Sequence, residues 1–206
     1  MKLVLDLLLM LIAGVWFFMA ARRVNRALEE TAWPKLLLAL PGAMALLGVA
    51  CLFAPSFPAE GVVHLPNSYE WPAGYVTHVI TAADGNYVVP LVDAGRVQIY
   101  DPHWRFLRGW NVNALGGGFK VAASPAGAVE VFAAKARRHY IFDENGDLIS
   151  SVPLLESDEL LLDQGHALIV PTPIWLWPLS SPAISLALIG LGLLSLEVLK
   201  RLSARH

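Results

Sequence analysis

Cysteine is nearly absent from this chain of 206 residues, in which Cys51 is the single example. One cysteine cannot form a disulfide within the chain, and it excludes metal sites built from cysteine pairs. The common hydrolase motifs Gly-x-Ser-x-Gly and His-Glu-x-x-His are also missing. The sequence therefore predicts a protein that is not an enzyme and that holds no cofactor and no metal.

Basic residues are scarce in the central part of the chain. Between residues 56 and 173 there are seven Lys or Arg against thirteen Asp or Glu, a net charge of −6. An acidic surface does not attract nucleic acid, because binding to phosphates relies on Lys and Arg that release counterions. Nucleic acid is therefore excluded as a partner.

Long apolar runs are what the chain has in abundance. They cover residues 3–21, 36–54 and 174–196, and the only charge within them is Asp6. Each approaches the roughly 20 residues that a helix needs to cross the hydrocarbon core. A cleaved signal peptide is the alternative for the first run, but arginines 22 and 23 stand where its cleavage site would be. We therefore expect transmembrane helices at residues 1–21, 36–54 and 174–199.

The positions of Lys and Arg predict the orientation in the membrane. Four lie in the loop at residues 22–35 and three in the tail at residues 200–206. Short basic segments stay in the cytoplasm. The N-terminus and the segment 55–173 are then extracytoplasmic, and the expected location is a bacterial inner membrane with this segment in the periplasm.

An internal repeat occupies the central segment. Residues 77–110 align with residues 119–152 at an offset of 42, with matches that include Gly85 with Gly127, Arg96 with Arg138 and Asp101 with Asp143. A period near 40 is typical of a four-stranded propeller blade. The predicted strands are 76–81, 87–92, 96–100 and 106–110 in the first copy, and 120–123, 128–134, 139–142 and 148–152 in the second.

The two copies resemble the NHL class of β-propeller repeat at RVQIYDPHWRFL (96–107) and RHYIFDENGDLI (138–149). That resemblance implies blade-like units, with at most a fragment of a third copy around residues 159–170. A closed propeller needs at least four blades. The predicted fold is thus a membrane protein with three transmembrane helices and an extracytoplasmic all-β domain of two β-propeller-blade-like repeats, arranged as an open sheet or sandwich whose edges can pair with a partner.

Several polar motifs were weighed as sites. The glycine-rich loop 116–120 lacks the spacing of a phosphate loop, and the acidic loop 143–147 lacks the glycine and distal glutamate of a calcium loop. Asp101 and Asp143 are either paired carboxylates or turn residues that accept backbone N–H groups. Asn145-Gly146 predicts a tight type I′ hairpin, in which both residues have positive φ.

The candidates for interaction are small residues and aromatic residues. Small residues permit close helix approach, and aromatic side chains anchor interfaces, although Trp104 and Trp110 follow strand spacing and could equally be core. The candidates are Gly42, Ala45 and Gly48 in the second span, Ala183, Ala187 and Gly190 in the third, and Trp71, Trp104 and Trp110 in the β domain.

Together these features predict a non-catalytic accessory or scaffold subunit of a membrane complex. Its expected partners are the lipid bilayer and other membrane subunits, or further copies of itself. A membrane-anchored sensor that binds a small ligand or an envelope polymer is the alternative. A hydrolase or a metal enzyme is a third.

Overall fold

The computed structural model describes residue 22 and residues 35–124, 127–154 and 165–203. The chain divides into two compact units, residues 1–52 with 182–206 and residues 53–181. The predicted first span, residues 1–21, lies outside the described residues. So does most of the basic loop that follows it.

In the part of the chain that the structure describes, two long helices belong to the first unit and two short ones to the second. The helices are α1 (Lys35–Phe53), α2 (Ser56–Ala59), α3 (Trp177–Ser180) and α4 (Pro182–Ser203), with 3-10 turns at Val92–Ala94 and Ile174–Leu176. By length and composition alone, two stretches of the described chain are apolar enough to cross a membrane: Ala39–Ala59 and Pro182–Leu202.

The long helix α4 begins at Pro182, later than the predicted third span. Residues 174–181, which the hydropathy pattern assigns to that span, lie outside the long helix α4. The break falls at Ser181, whose backbone is extended (φ −134°, ψ 106°). The cause is Pro182, because a proline ring excludes the helical conformation from the residue before it. Pro182 itself begins α4, where its missing N–H does no harm.

Residues 53–181 form a mostly β domain with two antiparallel sheets. The described residues of this domain contain the strands β1 (Tyr75–Thr81), β2 (Tyr87–Leu91), β3 (Arg96–Tyr100), β4 (Phe106–Asn111), β5 (Phe119–Ala123), β6 (Val129–Ala133), β7 (Arg138–Phe142), β8 (Leu148–Pro153) and β9 (His166–Ile169). The first sheet has the order β4-β3-β2-β1-β9, and the second has the order β5-β6-β7-β8. Strands β1 to β8 agree with the eight predicted strands to within one residue at each end.

Strand β9 lies within residues 159–170, the region in which the resemblance implies at most a fragment of a third copy. It does not open a third sheet. It pairs with β1 instead, where Ile169 lies opposite Tyr75, so the first sheet gains a fifth strand and the second keeps four.

The hairpin turns repeat with the same offset of 42 residues as the sequence. In each copy the three turns place one residue at positive φ, at matching positions: Gly85 (84°) and Gly127 (85°), Gly95 (58°) and Arg137 (50°), Trp104 (62°) and Gly146 (87°). Trp104 thus adopts the left-handed conformation of its counterpart Gly146. The two turns are alike even though the residues differ.

The type I′ turn predicted at Asn145-Gly146 is not formed. Asn145 is not one of the non-glycine residues with positive φ in the described chain, whereas a type I′ turn would require positive φ there. The turn runs from Asp143, whose carbonyl accepts the Gly146 N–H at 3.1 Å, and the β7–β8 register shifts beside it. A type I turn followed by a left-handed glycine closes such a longer hairpin.

The two sheets pack face to face around a hydrophobic core. Its main members are Val88, Val97, Ile99 and Trp110 from the first sheet and Phe119, Val121, Val129, Val131, Tyr140 and Phe142 from the second. The two sheets stack head to tail, which means that the face of one sheet meets the opposite face of the other. Val97 faces this core, but its counterpart at offset 42, His139, is on the outer face. Conversely Tyr140 faces the core, whereas its counterpart Gln98 is buried on the other side of the first sheet.

The outer faces of the two sheets differ sharply. A second cluster, which includes Trp71, Ala73, Val89 and Tyr100, covers the outer face of the first sheet. The outer face of the second sheet instead carries a hydrogen bond between His139 Nε2 and Glu130 Oε2 at 3.0 Å. The two sheets do not close into a propeller.

Gly127 and Gly146 have nearly equal φ, so substitutions at these two positions separate the cost of backbone strain from the cost of a side-chain clash. A Cβ on Gly127 meets nothing within 4 Å, whereas one on Gly146 would lie 2.5 Å from Trp110 Cε3. Gly127→Ala should lower the free energy of unfolding by about 1–2 kcal/mol, from backbone strain alone. Gly146→Ala should cost about 1–3 kcal/mol more because the Trp110 ring must move. Urea unfolding of the full chain in detergent measures both, and equal losses would contradict the packing assigned to Gly146.

Candidate interaction sites

Arg96 is the charged residue of β3, and it is fully buried. Its side chain is 0% exposed, and its acceptors are Leu65 O (3.3 Å), Pro66 O (2.7 Å), Tyr69 O (2.8 Å), Gly109 O (3.0 Å) and Asn111 Oδ1 (3.1 Å). Burial lowers the pKa of the Arg96 guanidinium, because desolvation disfavours the charged form. These hydrogen bonds attach the backbone of the segment 65–69 to the first sheet, through the carbonyl groups of Leu65, Pro66 and Tyr69.

The same face of β3 continues this attachment through Gln98 and Tyr100. The Trp71 N–H donates to Gln98 Oε1 at 2.6 Å, and Gln98 Nε2 donates to Trp71 O at 3.0 Å. The Tyr100 hydroxyl donates to Glu70 Oε1 at 3.0 Å. Burial and the Glu70 carboxylate raise the pKa of Tyr100. The segment 65–71 therefore covers the first sheet as a fixed layer.

The three candidate tryptophans occupy different environments. Trp71, the last residue of the segment 65–71, is 9% exposed and packs on the first sheet, and Trp110 is 3% exposed in the core between the sheets. Trp104 is half-buried and stacks on Tyr87, with ring centroids 4.3 Å apart and an angle of 11° between the ring planes. Of the three, Trp104 alone presents part of its ring to the surface of the described chain.

Asp101 and Asp143 have the same role in the two copies. Asp101 Oδ1 accepts the N–H groups of His103 and Arg105, each at 2.8 Å. Asp143 Oδ1 accepts those of Asn145 and Asp147 at 2.9 and 2.8 Å. These backbone bonds lower the pKa of both carboxyl groups. The turn-stabilising alternative is confirmed.

The glycine-rich loop before β5 offers no place for a phosphate. The N–H of Gly116 donates to Ala59 O at 3.3 Å, and the carboxylate of Glu60 fills the position that a Cβ on Gly116 would take. A carboxylate there repels an anion. Among the described residues, no group of three or more His, Cys, Asp and Glu could hold a metal ion.

Small residues do line the contact between α1 and α4, but only part of the predicted set takes part. A Cβ on Gly48 would lie 2.7 Å from Ser185 O, and one on Gly192 would lie 2.6 Å from Pro41 O and 2.8 Å from Ala45 N. The helices therefore run antiparallel in close contact. Gly42 is also buried.

The predicted small residues of α4 lie elsewhere on that helix. Ala183, Ala187 and Gly190 are exposed, and a Cβ on Gly190 meets nothing within 4 Å. Gly192, which the sequence analysis missed, makes the contact instead. A second small-residue face thus remains open on α4 of the described chain.

The strand β8 lies at one edge of the second sheet, and sequence reasoning, which predicted open edges, did not single out this strand. On β8, Leu148, Ile149 and Val152 are 55%, 63% and 43% exposed. The sequence LISSVP has no regular alternation of apolar and polar residues, so it gave no signal that these side chains are exposed.

A cleft of about 170 Å³ lies beside the start of β1. Its lining is largely apolar and includes Trp71, Pro72, Tyr75 and Pro90, with Asp93 as its one charged residue. Such a lining suits an apolar or aromatic group more than an ion.

No protein-family model matches this sequence, and no curated protein matches it.

The two arginines at equivalent positions give a direct test of the attachment to the first sheet. Arg96→Ala should reduce the free energy of unfolding by about 4 kcal/mol, because several buried carbonyls, each costing about 1–3 kcal/mol, lose their donor. Its counterpart Arg138 is exposed, and Arg138→Ala should change stability by less than about 0.5 kcal/mol. Denaturant unfolding of both variants measures this, and similar losses would contradict the role of Arg96.

The two turn aspartates predict a dependence of stability on pH. Their lowered pKa in the folded state stabilises the protein above the unfolded value, about 3.9, and this stabilisation disappears as the pH falls through the folded pKa. Asp101→Asn/Asp143→Asn keeps an Oδ1 acceptor but does not titrate, so its stability should fall less steeply below about pH 5. Unfolding midpoints between neutral and acid pH measure the slope, and parallel curves would refute the assignment.

Proposed function

We propose that this protein is a membrane-anchored, non-catalytic accessory or scaffold subunit, and that its β domain binds a partner protein through the free edge of β8. The helices α1 and α4 supply the anchor. The β domain supplies the docking surface.

The observation that supports this proposal most strongly is the difference between two equivalent edges. On β4, the Gly109 N–H points outward and donates to Asn67 O at 2.9 Å, so the segment 65–71 covers that edge. The counterpart of Gly109 at offset 42 is Ser151 on β8. Within the described part of the chain, no group bonds to the outer edge of β8.

The direction of the β8 backbone groups follows from its pairing with β7. The Leu154 N–H donates to Arg137 O at 3.1 Å. Because N–H groups alternate along a strand, those of Val152 and Ser150 also face β7. The N–H of Ser151 therefore faces outward and is available to an added strand.

The exposed side chains suit the same mode of binding. Strand addition combines main-chain hydrogen bonds with pockets for alternate side chains, and β8 offers Leu148, Ile149 and Val152 at its surface. Natural proteins normally protect such an edge with charge or proline. Here Pro153 stands only at the end of the strand.

The membrane anchor is proposed on the two apolar helices, Ala39–Ala59 and Pro182–Leu202, together with the predicted first span. The excess of Lys and Arg in the loop 22–35 and the tail 200–206 favours the cytoplasm for both. The β domain would then be extracytoplasmic, in the periplasm of a bacterium.

The relation to NHL-type blades also remains a proposal. Two four-stranded meanders with matching turns and head-to-tail stacking support it, since consecutive blades of a propeller stack in the same way. The hydrogen-bonded polar side chains of Glu130 and His139 on the outer face of the second sheet favour a stack that ends there, as polar terminal repeats do.

Blocking the outer edge of β8 tests the docking surface. Ser151→Pro removes an outward N–H without removing a β7–β8 hydrogen bond, and proline is tolerated on edge strands. We expect the native complex, extracted in mild detergent, to lose its partner on native gels while the protein remains folded. Ser150→Pro is the control, because it removes a bond to β7 and should lower the melting temperature. A complex that survives Ser151→Pro at full abundance would contradict docking at β8.

The open small-residue face of α4 gives a second test. Gly190→Leu should weaken association with a neighbouring membrane subunit or second copy, while insertion and abundance stay nearly unchanged, because added apolar volume suits lipid but blocks close helix approach. Gly192→Leu is the matched variant: it should disrupt the α1–α4 contact and lower the thermal stability. A wild-type protein that migrates as a lone monomer from native membranes would refute the scaffold function.

A ligand-binding sensor is the second candidate, and the cleft beside β1 is the observation that favours it. Trp71, Pro72 and Tyr75 are among its lining residues, and they could hold a small apolar or aromatic group. Saturable quenching of tryptophan fluorescence by small aromatic compounds, lost in Pro72→Arg, would favour this function over docking.

A further inference from the structure

The chain from the start of β9 to the start of α4 exposes large apolar side chains and carries no Asp, Glu, Lys or Arg. The segment runs over residues 165–181. Within it, Ile174 is 75% exposed and Trp175 is 76% exposed, the highest values among the large hydrophobic residues that the structure describes. Water is an unfavourable environment for such side chains.

This segment is held in place by hydrogen bonds. Thr172 Oγ1 accepts the Gly74 N–H at 3.0 Å, and the Val170 N–H donates to Gly74 O at 2.8 Å. The Trp177 indole N–H donates to Thr172 O at 3.0 Å. Ile174 and Trp175 therefore project from a fixed turn.

Further apolar residues lie around the same point. Tyr75 and Ile169 are neighbours across β1 and β9, and each is 65% exposed. Trp177 is 37% exposed. We name Tyr75, Ile169, Ile174, Trp175 and Trp177 the aromatic patch.

The position of the patch along the chain indicates what covers it. Trp175 precedes Pro182 by seven residues, and Pro182 begins the apolar stretch that could cross a membrane. Tryptophan and tyrosine are enriched at the level of the lipid headgroups. The break at Ser181 keeps the two tryptophans out of α4 and leaves them at its start.

We infer that the aromatic patch inserts into the headgroup layer of the bilayer and so holds the β domain at the membrane surface. This inference rests on the proposed membrane anchor. Because residues 165–181 carry no charge, the interaction needs no anionic lipid and is insensitive to salt, unlike the binding of a basic segment.

Environment-sensitive labels can test this in the full chain, with Cys51 replaced by Ala and the protein reconstituted in phosphatidylcholine nanodiscs. Cysteines for a nitrobenzoxadiazole label are introduced as Trp175→Cys, as Ala83→Cys and as Leu191→Cys. Ala83 is exposed and lies beyond the other end of β1, a strand that spans about 20 Å from Tyr75 to Thr81 at 3.3 Å per residue. Leu191 is 55% exposed on α4. Lipids with a spin label near the headgroup serve as quenchers for the shallow positions, and lipids with a spin label deep in the acyl chain serve for position 191, which lies about 13 Å along α4 from Pro182.

We expect the label at position 175 to lose at least roughly half of its fluorescence to shallow spin-labelled lipid, equally at low salt and at about 1 M salt. The label at position 83 should remain unquenched and water-like in its emission. Ile174→Cys, at an equally exposed position, should repeat the result of position 175.

The other outcomes overturn the inference in distinguishable ways. Quenching at 191 but a water-like label at 175 would refute the patch while leaving the membrane anchor intact. A label at 175 that is shielded from water yet unquenched by lipid would mean that a protein covers the patch. Quenching only with anionic lipid would refute the uncharged mode of binding. No quenching at 191 would refute the membrane anchor and the patch together.

Discussion

The β domain depends on one interaction above all, the contact between the buried Arg96 guanidinium and the carbonyl groups of residues 65–69. A charge without solvent exposure is costly unless it is hydrogen-bonded. Here the two terminal nitrogens of the guanidinium donate to four backbone oxygens and to Asn111 Oδ1, while Nε has no hydrogen-bond partner among the described residues. Gln98 and Tyr100 extend the same attachment to residues 70 and 71. As a result, the central strands β2 and β3 of the first sheet are buried on both faces. The edge of this sheet at β4 is covered by the same segment through Gly109.

The second copy has the same strands and turns without that cover, and the differences are concentrated where the segment 65–71 would lie. Arg138, the counterpart of Arg96, is exposed, and Ser151 replaces Gly109 at the free edge. On the opposite face Glu130 and His139 replace the valines that form the core of the first sheet. A nearly symmetric repeat has thus become an asymmetric domain, with one closed end and one strand edge that is open among the described residues. That asymmetry is why the interaction surface is proposed on β8.

Much of this fold could be predicted because local signals agree with it. Alternating β-runs and glycine-containing turns located eight strands, and an aspartate before each loop identified the Asx-type turns at Asp101 and Asp143. Trp104 shows the limit: its side chain argues against a left-handed conformation, yet the repeat geometry and its stack on Tyr87 impose one. The burial of Trp71 and the pairing of β9 with β1 were likewise out of reach, because both depend on contacts between residues far apart in sequence.

The contact face of α4 was likewise not predictable from the sequence. Small residues at 183, 187 and 190 follow helical spacing as well as those that make the real contact, so the sequence pattern alone cannot tell which stripe meets α1. The answer depends on the angular position of Gly192 relative to Pro41 and Ala45. Pro182 settles a further ambiguity, because it ends the extended segment at Ser181 and separates an apolar run that hydropathy reads as continuous. What hydropathy takes for the first two turns of a span is a fixed, exposed segment with Trp175 at its surface, and this division gives the aromatic residues a location of their own.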